Sequence, residues 1–224
     1  MSSLKSKLRG NLLKSHGERK NSRNHIWLSY SFKKGGDITL ASNNECIYWA
    51  SELESNPDIK DFLFGVEVVI QYPWEETARK REVILTETRT GATEFHQLVS
   101  GMKGERREMV AVFENGSNTS EVATNFFDTK NLASAATRSV HWLKILSFAA
   151  QIRDELCLAE TNWVNLFLRT NRTGDVRQLL ISSTVYDPMI ILGVFARVAL
   201  QGDIGLEFVS NVFGRNTRWT LRGD

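Results

Sequence analysis

A β-strand is predicted at residues 62–72, which read FLFGVEVVIQY. The β-branched and aromatic side chains of this stretch favour a pleated, partly buried conformation. The stretch SNNECIYW at 42–49 precedes it, and there Ser42 can cap a helix with Glu45 three positions later. The sequence therefore predicts a helix and then a strand, at the start of a mixed α/β core.

Further short strands are predicted around this helix and strand. They are rich in β-branched or aromatic residues and are separated by turn residues such as Gly35 and Gly36. Their positions are residues 25–40, which hold two strands, and residues 82–86, 94–99 and 109–113. The predicted core is thus one helix followed by a small, largely antiparallel sheet.

The C-terminal part of the chain has a different pattern, in which apolar residues recur at helical spacing. Asp187 and Pro188 are a typical helix start, and Gly202 is a typical helix end. The predicted elements are helices over 140–158, from 176 and over 189–200, and strands at 204–209 and 219–222. Helices followed by a two-stranded ribbon are typical of a winged helix, a module that binds DNA or, alternatively, docks a protein.

The formal net charge of +2 conceals a strongly basic N-terminal segment. Residues 1–34 carry nine basic residues and one acidic residue, a balance of +8, and the remaining residues have a balance of −6. This distribution favours an arm that contacts nucleic-acid phosphates, and it also suits a solvated leader that maintains solubility.

Targeting and membrane-spanning signals are not found in the sequence. No apolar run approaches the roughly 18 residues that cross a bilayer, and the basic N-terminus lacks the apolar centre of a signal peptide. We therefore expect a cytoplasmic protein that does not contact membranes.

Two acidic residues are the strongest candidates for chemistry. Glu45 lies early on the predicted helix, and Glu82 opens a predicted strand whose partner returns at 94–100. Metal-dependent nucleases use one helical acid and one acid at a strand end to hold Mg²⁺ against the scissile phosphate. Acids at strand ends also occur without any such function, so the residues alone leave both interpretations open. His96, on the partner strand, is expected to be a packed or hydrogen-bonded histidine.

The order of these segments resembles the TnsA family, the endonuclease subunits of heteromeric cut-and-paste transposases. The likeness is carried by SNNECIYW at 42–49, LESNPDI at 53–59, FGVEVVIQY at 64–72, FFDTK at 126–130 and the whole of 174–224. It implies an α/β protein of three parts: a basic arm at 1–24, a restriction-endonuclease-like domain at 25–139 and a winged-helix domain at 140–224.

The active site of the family has an acid on the first helix, an Asp in a strand and a Gln-x-Lys on the next strand. The resemblance places Glu45 and Glu82 at the two acid positions and makes them the ligands of Mg²⁺, for which Mn²⁺ can substitute. The Gln-x-Lys position falls on 98–100, so that Ser100 replaces the Lys and Gln97 lies one residue out of register. A hydroxyl supplies no fixed positive charge, and the loss of one such group costs on the order of 10²–10³ in rate.

Lys103 and Arg106, in the following loop, are the candidates to replace this charge, so the resemblance leaves open whether the chain is an active enzyme. An active subunit cuts the 5′ strands at the transposon ends of a bacterial mobile element, beside a DDE-type transposase. A degenerate subunit is instead a scaffold that binds DNA and bridges that transposase to an AAA+ regulator. The expected DNA contacts are the basic residues of the arm and of the predicted ribbon: Arg19, Lys20, Arg23, Arg215 and Arg218. A DNA-binding factor without enzymatic activity, or an unrelated α/β protein, is the alternative.

Overall fold

The computed structural model describes four segments of the chain: residues 25–99, 107–115, 118–208 and 212–222. These residues form two units. The first unit comprises what is described of Met1–Trp49 and Asp58–Ala135, and the second comprises Ala50–Pro57 and what is described of Ala136–Asp224. Within these segments, no helix has the length and apolar character that crossing a membrane requires.

The first unit begins with the hairpin and the helix that the sequence predicts. Strand β1 (Trp27–Ser31) pairs antiparallel with β2 (Gly36–Leu40). Helix α1 (Asn43–Tyr48) begins where the Ser42 hydroxyl accepts a hydrogen bond from the N–H of Glu45 at 3.2 Å. This bond satisfies one of the backbone donors that a helix start leaves without a partner in the helix.

Five strands form a closed barrel in which the neighbours follow the order β3, β4, β5, β7, β6. After a π-helical segment at Trp49–Glu54, these strands are β3 (Ile59–Gln71), β4 (Arg79–Thr88), β5 (Thr93–Leu98), β6 (Arg107–Asn115) and β7 (Asn118–Phe127). Neighbouring strands are antiparallel except β5 and β7, which run parallel. The largely antiparallel pairing is confirmed. The sequence pattern does not predict β7, because polar residues such as the buried Thr124 and Asn125 conceal its alternation.

The interior of the barrel is apolar, and the alternation of side chains along each strand decides which residues enter it. The buried residues that fill it are Val68, Ile70, Tyr72, Val83, Phe95, Ala111, Val122 and Phe126. Because Val83 points inward, its neighbour Glu82 points to the outside of the barrel. Helix α1 packs on that outer surface, where the ring centroids of Tyr48 and Phe127 lie 4.5 Å apart.

A bulge interrupts β3 opposite β4. Between its pairings at Leu63 and Val66, β3 contains one residue more than β4. Gly65 lies in this bulge with a φ of +73°, a left-handed conformation that residues with a side chain disfavour. The bulge sets the register that follows, in which Glu67 of β3 lies opposite Glu82 of β4.

The second unit combines helices with a three-stranded antiparallel sheet in the order β8, β10, β9. The elements are α2 (Thr129–Gln151), whose first residues belong to the first unit, α3 (Leu158–Asn171), β8 (Thr173–Asp175), α4 (Val176–Ser182), α5 (Pro188–Gln201), β9 (Ile204–Glu207) and β10 (Arg218–Leu221). The predicted helix over 140–158 is corrected, since α2 begins earlier and ends at Gln151. Helix α3 is not predicted from the sequence, because its buried residues are only Val164 and Leu168, too few to give a clear helical spacing of apolar residues.

Helix α5 has the ends that the sequence predicts. The Asp187 carboxylate accepts a hydrogen bond from the Met189 N–H at 2.7 Å, Pro188 lies in the first turn, and Gly202 ends the helix with a φ of +89°. Its buried residues occupy nearly every side of the helix: Ile191, Gly193, Val194, Phe195, Ala196, Val198, Ala199 and Leu200. A helix that is apolar all round is a core helix, and α5 has this place in the second unit.

Replacement of Gly65 by Ala tests the bulge. An Ala side chain at this positive φ is strained, so we expect Gly65→Ala to lower the free energy of unfolding by about 1 kcal/mol. Gly36→Ala is the matched control, because Gly36 lies outside the left-handed region and an added Cβ meets only the Lys34 carbonyl oxygen, at 4.0 Å. Urea unfolding measures both variants. Equal effects of the two substitutions would contradict a special role for the bulge.

Candidate functional site

Glu45 is positioned by the first turn of α1. Its N–H is bonded to the Ser42 hydroxyl, and its own carboxylate turns back to accept a hydrogen bond from the Ala41 N–H at 2.6 Å. The side chain is partly buried. These two local bonds fix the Glu45 carboxylate at the start of the helix.

Glu82 is positioned by the alternation of β4. It points away from the apolar interior, is exposed, and lies opposite Glu67 of β3. The bulge lies beside it, since a Cβ added to Gly65 would be in van der Waals contact with the Glu82 carboxylate, at 3.9 Å. The strand register therefore presents this carboxylate on the outer surface on which α1 packs.

The carboxylates of Glu45 and Glu82 lie close enough for their charges to interact. Burial of Glu45 raises its pKa above the ordinary value of 4.5, the hydrogen bond from Ala41 lowers the pKa, and the negative charge of Glu82 raises it. The two acids that the sequence predicts as a pair therefore influence each other electrostatically. Such a pair fits Mg²⁺, which is commonly held by one or two carboxylates while water and phosphate oxygens complete its shell.

A lysine lies on the same face of β4, two residues before Glu82. The Lys80 ammonium is 2.7 Å from the Glu67 carboxylate, and these side chains are 66% and 64% exposed. Ion pairs between side chains as exposed as these contribute little to stability. The Lys80 ammonium can therefore leave Glu67 and bind a phosphate at little cost in free energy. Reasoning from the family pattern misses Lys80, because that pattern places the positive charge on the strand after the acid.

Gln97 lies on the other side of the sheet from Glu82. Its side-chain carbonyl accepts a hydrogen bond from the hydroxyl of Tyr72, a residue of the barrel interior, at 2.7 Å. Its amide donates to the backbone carbonyl of Glu82 at 3.3 Å. The alternation of β5 turns Gln97 to the same side as Phe95, which also belongs to the interior. Gln97 therefore ties β5 to β4, and its place among the catalytic residues stays a prediction.

A buried polar cluster lies on the outer surface of the barrel, next to α1. His96 of β5 is 3% exposed, and its Nδ1 is hydrogen-bonded to the Tyr48 hydroxyl. Its Nε2 lies 3.1 Å from the Glu94 carboxylate, which also accepts a hydrogen bond from the Asn125 amide at 2.9 Å. The Thr86 hydroxyl lies 3.4 Å from the same Nε2. The prediction of a hydrogen-bonded His96 is confirmed, and the spacing of Glu94 and His96 on one strand face was the available signal for the cluster.

The predicted site residues of the arm and of the loop after β5 lie outside the described residues: Arg19, Lys20, Arg23, Ser100, Lys103 and Arg106. Arg215 and Arg218 are described, and both are exposed. Arg218 lies on β10, opposite Asp175 of β8. The carbonyl of Arg215 accepts a hydrogen bond from the N–H of Arg177 at 2.8 Å, which places a further exposed arginine of the second unit beside it.

Comparisons with protein-family models, with curated proteins and with solved structures find no match for this chain. Among the residues that the structure describes, no group of three or more His, Cys, Asp or Glu side chains is arranged to hold a metal ion. Glu45 and Glu82 are thus a pair, and further ligands of a bound cation are expected from water and substrate oxygens.

The raised pKa of Glu45 predicts how its replacement changes stability. Above this pKa, the ionised carboxylate is partly buried and repelled by Glu82. Glu45→Gln removes both penalties, and its amide oxygen still accepts the Ala41 N–H. We expect Glu45→Gln to raise the free energy of unfolding near neutral pH by on the order of 1 kcal/mol.

The gain should depend on pH. The wild-type penalty develops as the pH rises from the ordinary value of 4.5 through the higher pKa of the folded state, so the gain should vanish at lower pH. Urea unfolding at a series of pH values measures it, with Glu121→Gln, at an exposed position on β7, as the control. A gain that does not change with pH would contradict the electrostatic explanation.

Proposed function

We propose that the chain is a TnsA-like subunit of a bacterial DNA-transposition machinery, which makes metal-dependent strand cuts at transposon ends. The observation that carries the proposal is the convergence of two acids from separate elements. Glu45 comes from the first turn of α1 and Glu82 from β4, and burial together with the charge of Glu82 raises the pKa of Glu45. Neighbouring carboxylates that cost stability in this way are typical of sites built for a cation.

The order of elements supports a restriction-endonuclease-like core. Helix α1 is followed by the antiparallel strands β3, β4 and β5, and the two acids lie on the helix and on the second of these strands. This order agrees with the family arrangement of an acid on the first helix and an acid in a strand. In the second unit, α4 and α5 followed by the β9–β10 ribbon support the winged-helix assignment.

The side chains of the site have separate tasks in strand cutting. Glu45 and Glu82 hold Mg²⁺, or Mn²⁺ in its place. The cation, when bound, polarises the scissile phosphate and lowers the pKa of a water molecule. Lys80 supplies positive charge on the same face of the sheet, where it can stabilise the growing charge of the phosphate. Lys80 thereby supplies positive charge that Ser100, at the Lys position of the family pattern, does not supply.

DNA contact is supported for the exposed arginines of the second unit rather than for α5. The charged residue of α5 is Arg197, whose guanidinium donates hydrogen bonds to the backbone carbonyls of Ile152 and Glu155. Three exposed arginines lie instead in the first turn of α4, in the turn before β10 and at the start of β10: Arg177, Arg215 and Arg218. Contacts of arginine with phosphate position a protein on DNA without reading its sequence.

A scaffold without nuclease activity is the second candidate, and Ser100 at the Lys position favours it. In that case the same surfaces bind transposon ends and bridge a DDE-type transposase to its AAA+ regulator. In the first candidate, the transposase cuts and joins the 3′ ends while this chain cuts the 5′ strands. The two candidates share the DNA and protein partners and differ in whether the carboxylate pair is used.

Cleavage of labelled transposon-end DNA distinguishes the two candidates. With the partner transposase and Mg²⁺ or Mn²⁺, we expect wild-type protein to cut the 5′ strands. Glu45→Ala and Glu82→Ala should each lower the rate by at least about 10²-fold. Glu121→Ala is the control, because Glu121 is an exposed carboxylate of the same barrel. DNA binding without cuts, unchanged by either substitution, would establish the scaffold instead.

The salt dependence of binding tests the ribbon arginines. The double substitution Arg215→Ala and Arg218→Ala should weaken binding to duplex DNA. It should also reduce the slope of log affinity against log salt concentration by about 2, one for each lost phosphate contact. Arg153→Ala, at an exposed arginine that follows α2, is the control. An unchanged slope in the double variant would exclude the ribbon from the DNA interface.

A further inference from the structure

A hydrogen bond joins the helix that carries Glu45 to the strand next to the one that carries Glu82. Tyr48 lies three residues after Glu45 on α1 and is fully buried, and its hydroxyl is bonded to Nδ1 of His96 on β5. Strand β5 is the antiparallel neighbour of β4, which carries Glu82. The bond therefore runs from the helix of Glu45 to the sheet of Glu82.

The His96 ring is itself held by side chains from three strands. Its Nε2 lies 3.1 Å from the carboxylate of Glu94 on β5, 3.2 Å from the amide of Asn125 on β7 and 3.4 Å from the hydroxyl of Thr86 on β4. Because a carboxylate only accepts hydrogen bonds, it favours the imidazole proton on Nε2 and leaves Nδ1 as the acceptor for the Tyr48 hydroxyl. The Glu94 carboxylate thus selects the tautomer that binds the helix, and the Asn125 amide donates to that carboxylate at 2.9 Å.

Burial strengthens the hold of the Tyr48–His96 hydrogen bond on the position of α1. His96 and Asn125 are 3% and 4% exposed, and the Tyr48 ring packs against Phe127. Hydrogen bonds in such a dry environment are stronger than at a surface, and breaking one leaves a costly unpaired group. A movement of α1 away from the sheet therefore breaks a bond that water does not readily replace.

We propose that Tyr48 and His96 are positioning residues, which hold the helix of Glu45 on the side of the sheet that carries Glu82, so that the two carboxylates can share a divalent cation. The proposal rests on the proposed function for the presence of that cation. Metal ligands must be held to within about half an ångström by side chains that are themselves fixed by hydrogen bonds. Neither positioning residue contacts the cation or the DNA.

Removal of one hydroxyl tests the link, with a matched control on the other face of the sheet. Tyr48→Phe deletes the bond to His96, and Tyr72→Phe deletes an equally buried bond to Gln97 inside the barrel. We expect Tyr48→Phe to weaken Mn²⁺ binding, measured by EPR of free Mn²⁺, by about fivefold, the effect of one ordinary hydrogen bond. Tyr72→Phe should change the affinity by less than about twofold, because its hydroxyl bond does not touch α1 and Gln97 can keep its own bond to the Glu82 carbonyl.

Two substitutions of His96 separate its two bonds. The amide of His96→Asn lies where Nδ1 was and can keep the bond to Tyr48, whereas the longer His96→Gln reaches the Nε2 position and Glu94 instead. We expect His96→Asn to retain wild-type Mn²⁺ affinity and His96→Gln to lose affinity as Tyr48→Phe does. The opposite order would show that the bond to Glu94, and not the bond to Tyr48, matters.

Amide hydrogen exchange makes the test independent of metal binding. In metal-free protein, Tyr48→Phe should speed exchange at the α1 amides by about fivefold and leave those of β4 unchanged, and Tyr72→Phe should not affect α1. Unchanged exchange in α1, or equal effects of the two Tyr→Phe variants, would overturn the positioning role. Wild-type protein that neither binds Mn²⁺ nor cuts DNA, yet shows the selective effect on α1, would refute the proposed function and retain the link.

Discussion

The apolar interior of the barrel is the constraint on which the candidate site depends. Val83 belongs to that interior, and alternation along β4 then leaves Glu82 on the outer surface. A slip of one residue in the pairing of β4 would turn Glu82 into the barrel, where an unpaired charge is very costly. The same packing that stabilises the first unit therefore fixes the direction of one carboxylate. The bulge at Gly65 absorbs the extra residue in β3 without disturbing this register.

The position of the second carboxylate, that of Glu45, depends on how a short helix packs and not on strand register. Helix α1 spans Asn43–Tyr48 and continues as the π-helical segment Trp49–Glu54, and even this combined length is marginal for a helix stabilised only by its own hydrogen bonds. It is held by the Ser42 cap at its start and by the burial of Tyr48 against Phe127 at its end. The position of Glu45 is thus a property of the packing between this helix and the barrel. A site divided between a rigid strand and a docked short helix is sensitive to everything that docks the helix.

The elements that follow from local chemistry could be predicted from the sequence, and those that follow from tertiary packing could not. Ser42 and Asp187 predict the starts of their helices, because N-capping involves only residues that are close in sequence. Strand β7 and the partners of His96 could not be predicted in this way. Their buried polar residues find hydrogen-bond partners only when β5 and β7 lie side by side, which is a tertiary arrangement. The convergence of Glu45 and Glu82 could be predicted from a family pattern. The inward direction of Gln97 required the register of β5, which the sequence alone leaves undetermined.

The local role of Glu45 does not account for its charge. Its position after Ser42 and its bond to the Ala41 N–H would suit an amide oxygen as well as a carboxylate, so helix capping is compatible with Gln. What distinguishes the carboxylate is the penalty that burial and the nearby Glu82 impose on its ionised form. A group that destabilises the fold while an alternative is available is expected where function needs the charge. The pair therefore makes physical sense as a place for a positively charged species, and the proposed strand cutting would give a reason to bind one there.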